Sequence, residues 1–236
     1  MALTLAAVGL PAELQPGGRR PAPGELALVQ AFANTFWDLE RGRPERLPTP
    51  AALARWLLER ELLEPGVRLT EADRRQALDV REGIRALLSA NGGRDPDPDA
   101  LRRMHQALPG GLLVRLHADR LPELVAPRRD LDGALALIAA AVAVAQFERR
   151  FARLKACPGP ECGWAFYDHS RNQTGAWCSM SVCGARVKAS EYRARRRQSR
   201  VKDMAGRLAN FVGGSDYGRL GSFLSSTPCW ANPAPE

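Results

Sequence analysis

The chain has 236 residues, of which 45% are hydrophobic, and a formal net charge of +8 at pH 7. This length and hydrophobic content suit one large domain, or a core domain with a small module, and exclude a disordered chain. The long apolar stretch at residues 134–145 has about half the length that crosses a bilayer. We therefore expect no membrane partner, and we expect a cytoplasmic location because no basic residue precedes the apolar N-terminus.

Five helices are predicted in the first two thirds of the chain. Apolar residues at helical spacing place them at residues 25–39, 49–63, 70–91, 101–108 and 130–151. Thr49 followed by Pro50 is a typical N-cap, the third helix starts at Thr70, and Asp130 or Asp132 caps the last helix. The apolar stretch within this last helix predicts a buried element, and its many alanines would also permit a dimer interface.

Two short strands are predicted between the fourth and fifth helices. Residues 112–117 alternate in part between apolar and polar side chains, and residues 122–126 return as the hairpin partner. Because Pro122 has no amide hydrogen to donate, we expect this second strand at an edge of the sheet.

These elements predict an α+β fold, with a mainly helical N-terminal domain that includes a small hairpin or sheet. Residues 1–24, rich in proline and glycine towards their end, are predicted to be an irregular lead-in. The N-terminal domain is placed at residues 25–154 and a compact metal module at 155–202. Residues 203–236, with repeated glycine and serine, are predicted to be a flexible tail.

Four cysteines form two C-x4-C pairs separated by fifteen residues: Cys157, Cys162, Cys178 and Cys183. A short knuckle of this kind supplies two thiolates from one turn, and two knuckles complete a tetrahedral structural zinc site. Disulfide bonds are the alternative, but they are typical of small secreted scaffolds that are dense in cysteine. We therefore expect Zn²⁺ as the cofactor, and Cys229 has no evident partner.

The residues around the cysteines predict a knuckle, a hairpin and a helix, in that order. Residues 164–167 alternate as one strand, and residues 176–178 return as the second. A helix follows from about Met180 to Arg197, so that its first turn carries metal ligands. This order describes a treble clef, a module that we expect to unfold without its metal.

The motifs in this segment resemble those of the CGNR zinc-finger family. The resemblance lies in Cys-x4-Cys-Gly-Trp-x-Phe-x-Asp-x-Ser-Arg-Asn at residues 157–172 and in Trp-Cys-Ser-Met-x-x-Cys-Gly-x-Arg-x-Lys-Ala at residues 177–189. Upstream, Ala-Asn-Thr at residues 33–35 and Leu-Ala-Arg-Trp-Leu at residues 53–57 resemble the ABATE domain that precedes this finger in that family. The resemblance implies a bacterial, stress-related transcription regulator whose finger binds DNA.

Carried over to this chain, the resemblance makes the four cysteines the zinc ligands and places Arg186 and Lys188 at motif positions on the helix. Ala185 departs from the family pattern, in which asparagine follows Cys-Gly. An asparagine there could cap the helix or contact a base or a phosphate, and alanine can do neither.

The positive charge of the chain is concentrated in and around the cysteine segment. Residues 149–207 carry 14 lysines and arginines against 4 acidic residues, while residues 1–148 carry 19 against 20. Such local charge indicates a polyanionic partner, and arginine forks suit phosphates and guanine edges. The predicted contacts to double-stranded DNA are Arg186, Lys188, Arg193, Arg195, Arg196, Arg197, Arg200 and Lys202.

The sequence leaves two classes of function open. The first is a nucleoid-associated regulator of transcription, in which the N-terminal domain senses a small-molecule effector or forms a homodimer. The alternative is an adaptor that uses the basic helix on an acidic protein. An enzyme is not expected, because four thiolates leave zinc no open position for water. His169 is expected at the surface rather than on the metal, and Asp168 and Ser170 are expected to form a turn.

Overall fold

The computed structural model of the protein describes residues 3–4, 18–36, 45–119, 121–159 and 162–213. These residues divide into two compact units, with the division between Ala189 and Ser190. The first unit holds the N-terminal helices, two small sheets and the four-cysteine region, and the last helix continues into the second unit. Within the described ranges, no helix combines the length and the apolarity that are needed to cross a membrane.

Each of the five predicted helices is present in the N-terminal region. Their observed bounds are α1 Leu26–Ala33, α2 Pro50–Leu58, α3 Glu71–Asn91, α4 Pro98–Ala107 and α5 Leu131–Phe147. The first, second and fifth helices are shorter than predicted, because turns follow α1 and α2 and because Arg149, just after α5, has a positive φ of 57°. The predicted end of α1, at residues 37–39, lies outside the described residues.

Side-chain caps fix the starts of α2, α3 and α5; the sequence predicted the caps of α2 and α5 and the starting residue of α3. The Thr49 hydroxyl accepts a backbone N–H of α2 at 3.2 Å. Thr70 and Asp73 bond reciprocally across the first turn of α3. Of the two candidate caps for α5, Asp130 is the one used, since its carboxylate accepts the amide of Gly133 at 2.9 Å. Each cap of this kind stabilises a helix by about 1 kcal/mol.

The first sheet has three antiparallel strands in the order β1-β3-β2, with bounds β1 Leu3–Thr4, β2 Leu113–Arg115 and β3 Glu123–Ala126. The predicted hairpin of β2 and β3 is confirmed, but the prediction that β3 lies at an edge is wrong. Pro122 lies one residue before β3, so the strand loses no donor and pairs on both sides. Leu3 and Thr4 form a strand although residues 1–24 were predicted to be irregular.

Helix α5 lies in the main hydrophobic core. Leu135, Leu137 and Ile138 are fully buried, and most of the alanines of this helix are also buried. It packs against α1, a helix with apolar residues around nearly its whole circumference. A helix of that kind must be enclosed by protein. The core role predicted for residues 134–145 is therefore confirmed.

The second sheet connects the N-terminal helices to the cysteine region. Strand β4 (Leu154–Ala156) pairs antiparallel with β5 (Ala165–Tyr167). The sequence predicted β5, but it placed the partner at residues 176–178, which do not form a strand. Leu154, Ala156, Ala165 and Tyr167 all belong to the main core. The cysteine region therefore shares a core with the helical domain.

Two buried polar side chains, one in α1 and one directly after it, hold β5 in place. Asn34 Oδ1 accepts the backbone amide of Ala165 at 2.8 Å, and Asn34 Nδ2 donates to the carbonyl of the same residue at 2.9 Å. Gln30 Nε2 donates to that carbonyl at 3.1 Å, and its Oε1 accepts the amide of Ala22 at 2.7 Å. The Asn34 side chain thus forms hydrogen bonds with the backbone of β5 as a neighbouring strand would.

Asn34→Ala should lower the free energy of unfolding by about 2–4 kcal/mol, because it removes two hydrogen bonds and leaves a buried amide N–H unsatisfied. Urea denaturation followed by circular dichroism measures the change. Asn172→Ala is the matched control: its side chain is exposed, so the loss should stay within about 0.5 kcal/mol. Equal losses in the two variants would contradict the role assigned to Asn34.

Candidate metal centre and the helix that follows it

The four predicted cysteines converge in one buried cluster. Their Sγ atoms all lie within 4.8 Å of one another, and Cys178 Sγ lies 3.6 Å from the Sγ atoms of both Cys162 and Cys183. A disulfide requires about 2.05 Å, so the described cysteines are free thiols. Ligand sulfurs around zinc, with Zn–S bonds of about 2.3 Å, lie about 3.8 Å apart. The donors and their spacing therefore fit a zinc ion.

The first pair of cysteines is held by a backbone turn. The amide of Cys157 donates to the carbonyl of Trp164 at 2.9 Å, and the amide of Cys162 donates to that of Gly159 at 3.0 Å. Gly163 has a φ of 59°, in the left-handed region that favours glycine. These bonds direct both sulfurs into the cluster.

In the second pair, Cys183 lies on a single π-helical turn, Met180–Gly184, and Cys178 lies two residues before this turn; the turn leads directly into helix α6 (Ala185–Gly213). Ser179 caps this turn: its hydroxyl accepts the amide of Val182 at 3.3 Å, and its carbonyl accepts the amides of Cys183 and Gly184. Cys183 therefore lies at the positive end of the helix, where partial positive charge stabilises a thiolate.

The crowded thiols cannot all ionise without a cation. Hydrogen bonds from Cys162 and Cys178 lower the pKa of Cys157 to about 2. The hydrogen bond to Cys157 raises the pKa of Cys162 to about 12 and also raises the pKa of Cys178. Burial raises the pKa of Cys183. Most of these thiols therefore stay protonated at neutral pH, and a divalent cation is required to ionise all four.

A buried ion pair closes the loop between the two cysteine pairs. Lys155 Nζ lies 2.9 Å from Asp168 Oδ2 and also donates to the carbonyls of Gln173 and Gly175. Asp168 accepts the backbone amides of Ser170 at 3.0 Å and of Gly175 at 2.7 Å. Burial would raise the pKa of Asp168, but the hydrogen bonds from Ser170, Lys155 and Gly175 outweigh it and hold this pKa below its usual range. The turn-forming role predicted for Asp168 agrees with these contacts.

The segment before α1 lies against the cysteine region. Arg19 donates to the carbonyl of Trp177 at 2.9 Å, and its guanidinium lies 5.0 Å from the centre of the Phe166 ring. His169 Nε2 lies within 3.2 Å of the carbonyls of Arg20 and Pro21. His169 therefore contacts the lead-in and lies outside the cysteine cluster, as the sequence predicted.

Helix α6 displays the predicted basic residues at its surface. Residues 185–205 contain eight basic and two acidic residues, and all eight basic side chains are exposed. The guanidinium of Arg196 lies 5.9 Å from the ring centre of Tyr192, which is itself exposed. The helix extends to Gly213, beyond the predicted end of the module at residue 202 and into the segment predicted to be a tail. Cys229 lies outside the described residues.

The sequence did not predict the hydrogen bonds by which side chains of the helical domain position the metal cluster. Arg85 Nη1 donates to the carbonyl of Gly163 at 2.7 Å, and Arg94 Nη2 donates to the carbonyl of Ala156 at 3.3 Å. Gly163 and Ala156 directly adjoin cysteines of the cluster. Gln30 and Asn34 are polar residues in or next to an otherwise apolar helix. They are the only sequence signal that indicates hydrogen bonds between the helical domain and the cysteine region.

The fold and the site define a helical domain joined to a four-cysteine metal finger. The CGNR zinc finger family matches residues 153–196, and the ABATE family, described as "Putative stress-induced transcription regulator", matches residues 26–146. Because the ABATE match covers more than half of the chain, the protein belongs to this family, with a CGNR zinc finger as its C-terminal part. No curated protein matches the chain.

Zinc binding to the metal-free protein at pH 7 should release at least three protons, because the thiols of Cys162, Cys178 and Cys183, whose pKa values are raised, must lose theirs. Calorimetric titration in buffers of different ionisation enthalpy counts these protons. A Cys229→Ser control should give the same number. Release of fewer than three protons would contradict the assignment of these three cysteines as thiols that zinc ionises.

Asp168→Asn should lower the free energy of unfolding of the zinc-loaded protein by about 3–5 kcal/mol at pH 7, because it leaves the buried ammonium of Lys155 unpaired. Since folding lowers the pKa of Asp168, its stabilisation is present above about pH 4 and is lost as the pH falls through the folded value. Urea unfolding at several pH values measures both effects. Asp203→Asn, at an exposed position, is the control and should change little; similar losses in both variants would refute the role of the pair.

Proposed function

We propose that the protein is a zinc-dependent, DNA-binding regulator of transcription. Cys157, Cys162, Cys178 and Cys183 hold a structural Zn²⁺, and α6 contacts duplex DNA. The N-terminal domain senses a small-molecule effector or forms a homodimer. Membership of a family described as a transcription regulator supports this proposal, and so does the cluster of four buried cysteines in a zinc-finger segment.

The observation that carries the DNA-binding proposal is the exposed basic surface of α6. Eight basic side chains surround a continuous helix with only two acidic residues between residues 185 and 205. An α-helix fits the major groove of B-DNA, where arginine forks bind phosphate oxygens or guanine edges. We propose contacts from Arg186, Lys188, Arg193, Arg195, Arg196, Arg197, Arg200 and Lys202.

The zinc ion in this proposal supports the fold and takes no part in chemistry. When bound, it neutralises the thiolates and joins the first knuckle to the turn that starts α6. Four thiolate ligands fill a tetrahedral site, so no position remains for a reacting water. We therefore propose that the protein has no enzymatic activity. We also propose a treble-clef arrangement for the finger and binding to nucleoid DNA in the cytoplasm.

The double variant Arg195→Ala/Arg197→Ala should weaken binding to a mixed-sequence duplex by about ten- to a hundredfold and reduce the slope of log K against log salt by roughly 2. Fluorescence anisotropy at several salt concentrations measures both quantities. Arg75→Ala/Arg102→Ala is the matched control, since both arginines are exposed on α3 and α4. If zinc-loaded protein shows no salt-dependent binding to duplex DNA, the proposed function is wrong.

A protein-binding adaptor is the second candidate, and exposed apolar side chains on α6 favour it. Tyr192, Val201 and Met204 are each more than half exposed among the arginines. An acidic protein surface with an apolar centre would complement such a helix. Co-purification of an acidic partner that resists nuclease treatment, without binding to duplex DNA, would support this function.

A further inference from the structure

A charged cavity lies between α3 and α4 and the loop that joins them. Its volume is about 330 Å³, at the lower end of the range for small-molecule sites. The lining residues are Glu82, Arg85, Ala86, Ser89, Arg94, Asp95, Asp97, Ala100 and Arg103. Ala86 and Ala100 are buried, so the cavity combines small apolar residues with charged walls.

The charges in this lining are balanced, and some of them already have partners. Glu82 pairs with Arg85 and with Arg81, which lies outside the cavity, and one Asp97 oxygen caps α4. The other charges available to a ligand are the exposed side chains of Arg94, Asp95 and Arg103. The half-exposed ion pair of Arg103 with Asp79, at 3.4 Å, contributes little stability and is easily exchanged.

Two residues of the same lining also hold the backbone next to the metal ligands. Arg85 donates to the carbonyl of Gly163, which follows Cys162, and Arg94 donates to the carbonyl of Ala156, which precedes Cys157. Arg94 also donates to Ser89 Oγ at 3.1 Å, on the wall of the cavity. The position of the Arg94 guanidinium therefore affects the cavity and the first knuckle together.

We propose that this cavity binds a small zwitterion of the amino-acid type and that its occupancy stabilises the metal-bound finger. The ligand's carboxylate binds Arg94 and Arg103, since guanidinium groups bind carboxylates with charge-assisted hydrogen bonds. Its ammonium group binds Asp95. A polyvalent anion is disfavoured because three acidic side chains line the same space. This inference rests on the proposed function, because it names the effector class and the site for the N-terminal domain.

Ligand binding is coupled to metal binding because the ligand orders the Arg94 side chain. A ligand that fixes this exposed side chain holds the bond to Ala156 in place, and so it opposes opening of the knuckle that carries Cys157. By linkage, a ligand that favours the closed knuckle raises metal retention by the same factor by which zinc raises ligand affinity. Typical coupling between two sites is at least about fivefold.

Binding can be tested with the twenty free L-amino acids, each titrated into zinc-loaded full-length protein by calorimetry or thermal shift. At least one should bind, while its methyl ester and its N-acetyl derivative, which lack one of the two charges, should bind at least tenfold more weakly. Arg103→Gln and Asp95→Asn should weaken binding by about tenfold or more. Arg102→Gln, on the same helix but outside the lining, should bind like the wild type. No binding by any of the twenty, or binding that Arg103→Gln and Asp95→Asn leave intact, would overturn the proposed site.

The coupling can be tested by the rate at which zinc passes to a chromogenic chelator, with and without the amino acid that binds. The ligand should slow release by about fivefold or more in the wild type. Arg94→Gln loses both a carboxylate contact and the bond to Ala156, so it is tested at ligand concentrations that saturate this variant, where the ligand should have no such effect. An unchanged rate in the ligand-bound wild type overturns the coupling. Neither assay contains DNA, so loss of duplex binding alone would refute the proposed function and leave the site intact.

Discussion

The pairing of the Asn34 side chain with both backbone groups of Ala165 is the interaction on which the finger's position depends. The pair is buried, so neither backbone group could form its hydrogen bond with water instead. The same contact connects the end of α1 to strand β5. Because β5 follows the first cysteine pair directly, this contact sets the metal knuckle against the helical domain. Leu154 and Tyr167 then extend the main core into the β4–β5 sheet. The family's two sequence segments are consequently parts of one folded unit up to Ala189.

The metal cluster adds a second constraint, which is electrostatic. Four thiolates around a divalent ion leave a net negative charge in a buried place, and burial of such charge is costly unless it is compensated. Two features of the chain offset it: the start of α6 next to Cys183, and backbone hydrogen bonds from Gly159 and Cys178 to Cys157 and from Trp164 to Cys162. The buried pair of Lys155 and Asp168 is neutral overall and organises the intervening loop. In the proposed zinc-bound state, folding of the finger is linked to metal binding, although strands β4 and β5 also pack in the core of the helical domain.

Local signals in the sequence predicted the parts of the structure that local chemistry determines. The caps Thr49 and Asp130, the five helices and the β2–β3 hairpin all follow from side-chain type and periodicity. Cysteine spacing likewise predicted the cluster of four sulfurs. Strand β4 was not predicted, because three residues are too few to show a hydrophobic period. The strand depends on its pairing with β5, nine residues later. For the same reason, the bonds from Arg85 and Arg94 to the knuckle could not be derived: they join residues more than 60 positions apart.

Backbone geometry explains in part why this chain can carry alanine at position 185, where the family motif has asparagine. Ala185 has helical angles of φ −66° and ψ −41°, and it follows the π-helical turn as an ordinary helical residue. The capping that an asparagine could have supplied is performed six positions earlier by Ser179, whose hydroxyl and carbonyl satisfy the amides of Val182, Cys183 and Gly184. The start of α6 therefore does not need asparagine at position 185. Ala185 is exposed beside basic side chains, so an asparagine at this position would lie on the same surface as they do.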